Sequence, residues 1–225
     1  MGLNQQKGNM YPWITHTFNT VKGKCPHNCS YCYMNVYPLK QVRFDATELK
    51  TNLGVNNKIF VGSSCDMWSW AIPDEWIEKT LELCRGYRNE YIFQSKNPER
   101  FKKFYGRFPH PDLFGITIES NKDKLVSKYS EAPATFERYM CASDMTREDG
   151  EDVFISIEPV MDFDVKEFSD WIREIEPNFV SIGADSKGHK LPEPSKEKIE
   201  QLIDKITESG IEIKVKSNLK RVVEG

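Results

Sequence analysis

Three of the six cysteines in this 225-residue chain fall within eight positions, in the run Lys24-Cys-Pro-His-Asn-Cys-Ser-Tyr-Cys-Tyr33. In a reducing compartment, clustered thiols read as metal ligands or catalytic groups before structural disulfides. Thiolates as close as Cys25, Cys29 and Cys32 can wrap one face of an iron–sulfur cubane, which ordinarily takes four cysteines. Three leave one iron without a protein ligand, and an open coordination position is where a metal site does chemistry. The competing reading is a zinc knuckle using these thiols with His27 or a remote ligand, although zinc sites usually pair two C-x2-C halves. His27 follows Pro26 inside the loop, is expected to face solvent, and is left out of the ligand set. Tyr31 precedes the last cysteine and is expected to shield the site from water. Cys84 and Cys141 read as small buried hydrophobes. Cys65 is the exception, placed where it could approach the site and donate a hydrogen atom.

The elements that must carry this loop alternate along the chain. Short β-branched and aromatic runs at 14–20, 58–63, 90–94, 113–119, 153–158, 179–183 and 211–216 predict strands. Most are continuously apolar, as in Phe154-Ile-Ser-Ile157, which is the habit of parallel strands covered on both faces. Helical spacing and start signals predict helices over 74–85, 97–105, 134–148, 164–175 and 195–209, with Gly210 as a stop. Strand–helix alternation implies right-handed βαβ crossovers, in an open doubly wound sheet or a barrel. No linker divides the chain. One α/β domain over 13–219 is expected, with frayed tails at 1–12 and 220–225.

Ligands of such sheets bind beyond the carboxyl ends of the strands, and the segments there are polar. Gly62, Ser63, Ser64 and Asp66 follow the second strand, and a cationic amine would suit Asp66 together with exposed carbonyls. Lys96 follows the third strand, Thr117, Glu119 and Asn121 the fourth, Ser156 and Glu158 the fifth, and Asp185, Ser186 and Lys187 the sixth. Each is also a plausible cap or turn residue, and for any single position that bland reading weighs as much.

With its C-x3-C-x-φ-C loop, where φ is Tyr31, the chain resembles the radical S-adenosylmethionine (SAM) superfamily. Its further motifs, Gly62-Ser-Ser-Cys-Asp66, Phe93-Gln-Ser-Lys-Asn-Pro-Glu-Arg100, Gly115-Ile-Thr-Ile-Glu119, Ile155-Ser-Ile-Glu-Pro159 and Gly183-Ala-Asp-Ser186, look like those of small three-cysteine members found in bacteria and their phages. The resemblance spans about residues 13–219. It implies a partial (β/α)6 barrel with mostly parallel strands. It also implies a [4Fe–4S] cluster on Cys25, Cys29 and Cys32, with SAM on the open iron. Reductive cleavage of SAM to a 5′-deoxyadenosyl radical, and hydrogen abstraction from a substrate, would follow. Gly62, Ser63, Ser64 and Asp66 stand where the family's Gly-Gly-Glu holds the SAM ammonium, although that triplet is not literally present. Tyr31, Lys96, Thr117, Glu119 and Glu158 are the further cofactor-binding candidates, and a flavodoxin or ferredoxin would be the electron donor. No substrate is implied.

Composition narrows the function classes. Lys plus Arg number 31 against 34 Asp plus Glu, a net charge of −3, which excludes a globally basic nucleic-acid binder. No apolar run approaches the roughly 20 residues that span a bilayer, and the first residues lack a secretory leader, so a cytoplasmic protein without membrane contact is expected. Arg85, Arg88, Lys96, Arg100, Lys102, Lys103 and Arg107 interleave with Tyr87, Tyr91, Phe101, Phe104, Tyr105 and Phe108. This pattern could track phosphates and stack bases, so nucleic-acid repair or base modification is an alternative function. The favoured reading of the same stretch is a solvated helix face with its aromatics in the core. An iron–sulfur electron carrier or a zinc-stabilised interaction module ranks last.

Overall fold

The computed structural model describes residues 3–6 and 11–224. Its strands are β1 (Asn4–Gln5), β2 (His16–Phe18), β3 (Val21–Lys22), β4 (Arg43–Phe44), β5 (Lys58–Val61), β6 (Glu90–Ser95), β7 (Asp112–Thr117), β8 (Val153–Ile157), β9 (Phe179–Ile182) and β10 (Glu212–Val215). The helices are α1 (Asp74–Arg85), α2 (Glu99–Lys102), α3 (Asp123–Val126), α4 (Thr135–Arg147), α5 (Val165–Ile175), α6 (Lys196–Glu208) and α7 (Lys220–Val223). One sheet runs in the order β1-β2-β5-β6-β7-β8-β9-β10, parallel throughout except for the antiparallel edge pair β1–β2. The small antiparallel pair β3–β4 stands apart from it.

Strict sequential order with parallel pairing follows from the repeated strand–helix unit, and successive side chains along each strand point to opposite faces. Ile59, Val61, Phe93, Phe114, Ile116, Val153, Ile155, Ile157, Val180 and Ile182 join the main core with the helices. Their neighbours Phe60, Ile92, Phe154 and Phe179 instead form a second, inner cluster with Tyr11, Ile14 and Trp13. Burial on both faces is why these strands read as continuous apolar runs. At about 2 kcal/mol for each fully buried large side chain, this double burial is the main stabilising term.

Helix ends obey local chemistry. In α1, Ile77, Leu81 and Cys84 share the buried face, acidic Asp74 and Glu75 lie in the first turn, and Gly86 stops it. Asp164 caps α5 by accepting from Glu167 N at 2.9 Å, and Phe168, Trp171, Ile172 and Ile175 form its buried face. The helix expected over 97–105 is observed as the shorter α2, after which i→i+3 bonds, Phe104 N to Phe101 O and Arg107 N to Phe104 O, carry the chain through Gly106 at φ +76°.

The chain ends differ from expectation. Of the tail expected at 1–12, residues 1–2 and 7–10 lie outside the described residues, but Asn4 and Gln5 pair with Thr17 and His16, and Tyr11 is buried. Tyr11 and Trp13 stack at 4.8 Å, and Trp13 meets Phe154 and Phe179 edge-on. This segment thereby plugs the base of the concave face, a long-range fit with no local signal. Within 220–225, α7 continues the chain after Leu219, and residue 225 lies outside the described residues. Among the described residues no helix is long and apolar enough to cross a membrane.

Candidate active site

The β3–β4 ladder pairs Val21 with Phe44 and Lys22 with Arg43, closing the base of a flap that carries the three cysteines. Gly23 makes this possible: its φ is +111°, and a Cβ there would sit 2.6 Å from Gln41 O. Inside the flap, Asn35 Nδ2 donates to Cys29 O at 3.1 Å. Ser30 N reaches Tyr129 O and Glu131 N reaches His27 O, each at 2.8 Å, so the segment after β7 clamps the loop. Cys29 and Tyr31 are buried with Val126, Met161 and Leu191. Cys25 and Cys32 are half-buried.

The thiols differ in their surroundings. Burial raises the Cys29 and Cys32 pKa values. Cys25 is lowered, first by a hydrogen bond from Cys65, whose own thiol is correspondingly held protonated. Among the described residues, no three His, Cys, Asp or Glu side chains gather tightly enough to chelate one ion. A cubane instead takes each cysteine on a different iron, so its ligands need not converge on a point.

His27 does not face solvent. Its ring is buried, and Nε2 lies 3.0 Å from Asp66 Oδ2. Burial disfavours the imidazolium, but the Asp66 carboxylate outweighs this and raises the His27 pKa. Asp66 also accepts from Ser95 Oγ at 2.9 Å, Lys96 N at 2.9 Å and Trp68 N at 3.0 Å. Burial opposes the charge, yet His27 and these donors hold its carboxyl below the usual range. Asp66, expected to meet a cationic amine, here ties the cysteine loop to the loops after β5 and β6. What the β5 loop leaves to a ligand is Gly62, at φ +85°, with Ser63 and Ser64. Tyr33 Oη donates to Ser63 O, and Asn19 Oδ1 accepts from Ser64 N at 2.8 Å.

A second buried hub lies beside it. Glu119 is fully buried and accepts from Tyr31 Oη at 2.5 Å, from Arg138 Nη1 at 2.8 Å and from Lys96 Nζ. Burial alone would raise the Glu119 pKa, but Lys96 and Arg138 bring it down to about 2. Arg138 also donates to Thr117 O at 3.0 Å and Pro133 O at 2.7 Å, which satisfies its buried guanidinium. Lys96 lies 5.0 Å from the Tyr31 ring centroid. Tyr31, Lys96, Thr117 and Glu119 thus come together as one network against the cysteine loop.

Across the concave face the polar chain continues. Gln94 Nε2 donates to Thr117 Oγ1 at 2.9 Å, and Tyr11 Oη lies 2.9 Å from both Gln94 Oε1 and Ser156 Oγ. Glu158, after β8, receives Lys216 Nζ at 2.6 Å and Asn218 Nδ2 at 2.9 Å. Gly183 lies beside them, where a Cβ would meet the side-chain ends Glu158 Oε1 and Asn218 Oδ1 at 2.9 Å. Asp185 is a turn residue, accepting from Lys187 N at 3.0 Å and facing His189 Nδ1 at 2.7 Å. Sequence reasoning missed Tyr11, Gln94, Arg138, Lys216 and Asn218, all fixed by contacts distant in sequence. An Arg in the middle of a helix reads as solvated, and only a carboxylate 19 residues away explains its burial.

In the basic stretch at 85–107 the rings and several of the cations have partners within the protein. Phe101, Phe104 and Phe108 are buried around Trp68. Arg100 and Lys103 reach Asp74, Lys102 reaches Asp144 and Arg107 reaches Glu78.

No protein-family model matches the chain, and no curated protein matches it. Solved structures do. A spore photoproduct lyase mutant with bound AdoMet and dinucleoside spore photoproduct superposes with a TM-score of 0.66 at 10% identity, over 95% of this chain and 80% of that one. Streptococcus suis SuiB bound to its precursor peptide SuiA superposes with a TM-score of 0.59 at 11% identity, over 89% of this chain. The match covers 48% of SuiB, so this chain corresponds to about half of that protein. The fold is the mostly parallel partial α/β barrel that these structures share. In this barrel the sheet stays open between its edges β1 and β10, the cysteine flap follows β2, and the polar network lines the carboxyl ends of β5 to β10.

Proposed function

We propose that the protein is a radical SAM enzyme in which Cys25, Cys29 and Cys32 hold a [4Fe–4S] cluster with one iron left for SAM. The carrying observation is the donor set: three thiols on one flap at the carboxyl rim, opening beside a polar concave face. The surroundings fit such a group. Ser64 Oγ and His27 Nδ1, flanking the thiols on the two loops, are buried without a partner in the protein, as expected where a bound group completes the site. The apolar packing of Tyr31, Val126, Met161 and Leu191 excludes water from one side of the flap.

When bound, such a cluster supplies the electron that splits SAM into methionine and a 5′-deoxyadenosyl radical. This chain's own groups bind and orient. Backbone carbonyls of Gly62–Ser64 and the Ser64 hydroxyl take the SAM amine, while Asp66 holds that loop in register with the cysteine flap. Lys96, fixed by Glu119, offers a cation to the SAM carboxylate, and Thr117 with Gln94 meets the ribose hydroxyls. Glu158, Lys216 and Asn218 face the substrate side. A flavodoxin or ferredoxin would deliver the electron. One structural relative holds a dinucleoside and another a peptide, so the fold does not choose the substrate.

The direct test is EPR of the anaerobically reconstituted, dithionite-reduced protein with and without SAM. A [4Fe–4S]⁺ signal that changes on adding SAM supports the assignment. A zinc-loaded protein that takes up no iron, or a cluster signal indifferent to SAM, overturns it.

A further inference from the structure

The flap that carries the cysteines is charged unlike the rest of the chain. Residues 21–44 contain Lys22, Lys24, Lys40 and Arg43 and not one Asp or Glu, in a protein whose net charge is −3. Lys22 is neutralised by Asp45 and Glu48. Lys24, Lys40 and Arg43 are exposed and make no ion pair among the described residues. The fold gathers them: Lys24 N bonds to Lys40 O at 2.8 Å, and Arg43 lies across the β3–β4 ladder from Lys22.

The same flap turns large rings outward. Tyr37 is 59% exposed and Tyr33 43%, on or next to the short turn Tyr33–Val36 that directly follows Cys32. Tyr33 bonds to the loop after β5, and that loop ends in Trp70, 72% exposed. Rings such as Trp68 and Phe101 are by contrast wholly enclosed, and outside this region Phe136 is the large ring most exposed among the described residues, at 48%.

We infer that this face docks a single-stranded polynucleotide, with Lys24, Lys40 and Arg43 on its phosphates and Tyr33, Tyr37 and Trp70 stacking its bases. The inference deepens the radical SAM reading by naming the substrate class, and rests on it for the chemistry that follows docking. Unneutralised cations interleaved with exposed rings are the combination that strand binding uses, because every base has a stacking face and every linkage a charge. An acidic protein surface would satisfy the cations and leave the rings without a flat partner. A duplex would hide its bases from them, and chemistry on a base requires it out of the stack.

The test is fluorescence anisotropy of the reconstituted full chain with labelled oligothymidylate and oligouridylate strands of about 15 nucleotides, across a salt series. Either strand should bind, with affinity falling steeply with salt. A Lys40→Gln/Arg43→Gln variant should flatten the log–log salt slope by about 0.7 for each charge removed. Trp70→Ala should weaken binding about tenfold with the slope unchanged. Iron content and the SAM-dependent EPR change, measured on the same preparations, report the cluster separately. Loss of those refutes the radical SAM reading, whereas intact values with no strand binding refute the docking alone. Binding only to duplex, binding unchanged in the flap variants, or equal competition by polyglutamate would also overturn it.

Discussion

On the cysteine side of the rim, Asp66 and Glu119 are each enclosed by donors from several elements, whereas on the far side Glu158 accepts, among the described residues, from Lys216 and Asn218. Glu119 is fully buried and the Asp66 side chain is 13% exposed, both among fixed partners. Glu158 keeps a fifth of its side chain exposed. Near the thiols, charge is spent inside the protein on holding loops in register, and ligand contacts are left to backbone and hydroxyl groups. Opposite, the ion pair can re-form around whatever enters. This division matches a constant cofactor on one side and a variable substrate on the other.

The largest stability effect should come from breaking the inner hub. Glu119→Gln leaves Arg138 and Lys96 without their carboxylate and should cost about 3–5 kcal/mol in urea unfolding. The hub also sets the acid response. Because the folded-state pKa of Glu119 is depressed to about 2 from 4.5, its contribution is complete above the unfolded value and is lost as pH falls through the folded one. Wild type should therefore lose its advantage over Glu119→Gln between about pH 4.5 and 2. An advantage that persists at the acid end would show that the carboxylate is not the source of the stability.

Two glycines sharpen the comparison in the next range. A Cβ on Gly115 would lie 2.5 Å from the Phe154 ring in the packed base of the barrel, so Gly115→Ala should cost about 1–3 kcal/mol. At Gly183 the same methyl meets the ends of Glu158 and Asn218, which can swing away on the open side. Gly183→Ala should change stability by under about 1 kcal/mol while impairing turnover of a substrate once one is known. Equal costs would show that the far side is as rigid as the base.

The smallest effect is expected at the far-side pair itself. Glu158→Gln keeps one acceptor oxygen and turns an amide NH2 toward Lys216 or Asn218, but the half-open site lets that partner turn to water, so the change should be about 1 kcal/mol. SAM binding should be unaffected. A large loss of SAM affinity would instead place Glu158 on the cofactor side.

How much of this was readable depended on the range of the forces involved. The α1 helix was visible to the residue because Pro73, the acidic first turn and the Ile77–Leu81–Cys84 spacing are all local. The parallel strands were visible because burial on both faces leaves unbroken apolar runs. The cysteine flap was visible because its three thiols lie within one short segment. Hidden were the features made by closure: Tyr11 under the barrel, Arg138 turned inward to Glu119, and Lys216 reaching Glu158 across 58 residues. His27 was misread for the same reason, since its partner Asp66 lies 39 residues away on another loop. Lys96 and Glu119 were placed at the site from their strand-end positions, but their pairing with each other was not legible.

The most direct measurement is anaerobic: iron and sulfide reconstitution, addition of SAM and dithionite, and chromatographic quantification of 5′-deoxyadenosine. The expected result is product from the wild type and none from Cys25→Ala, Cys29→Ala or Cys32→Ala. Cleavage retained in any one of these variants, or no cleavage by a wild type carrying a spectroscopically confirmed cluster and a substrate-competent strand, would contradict the assignment.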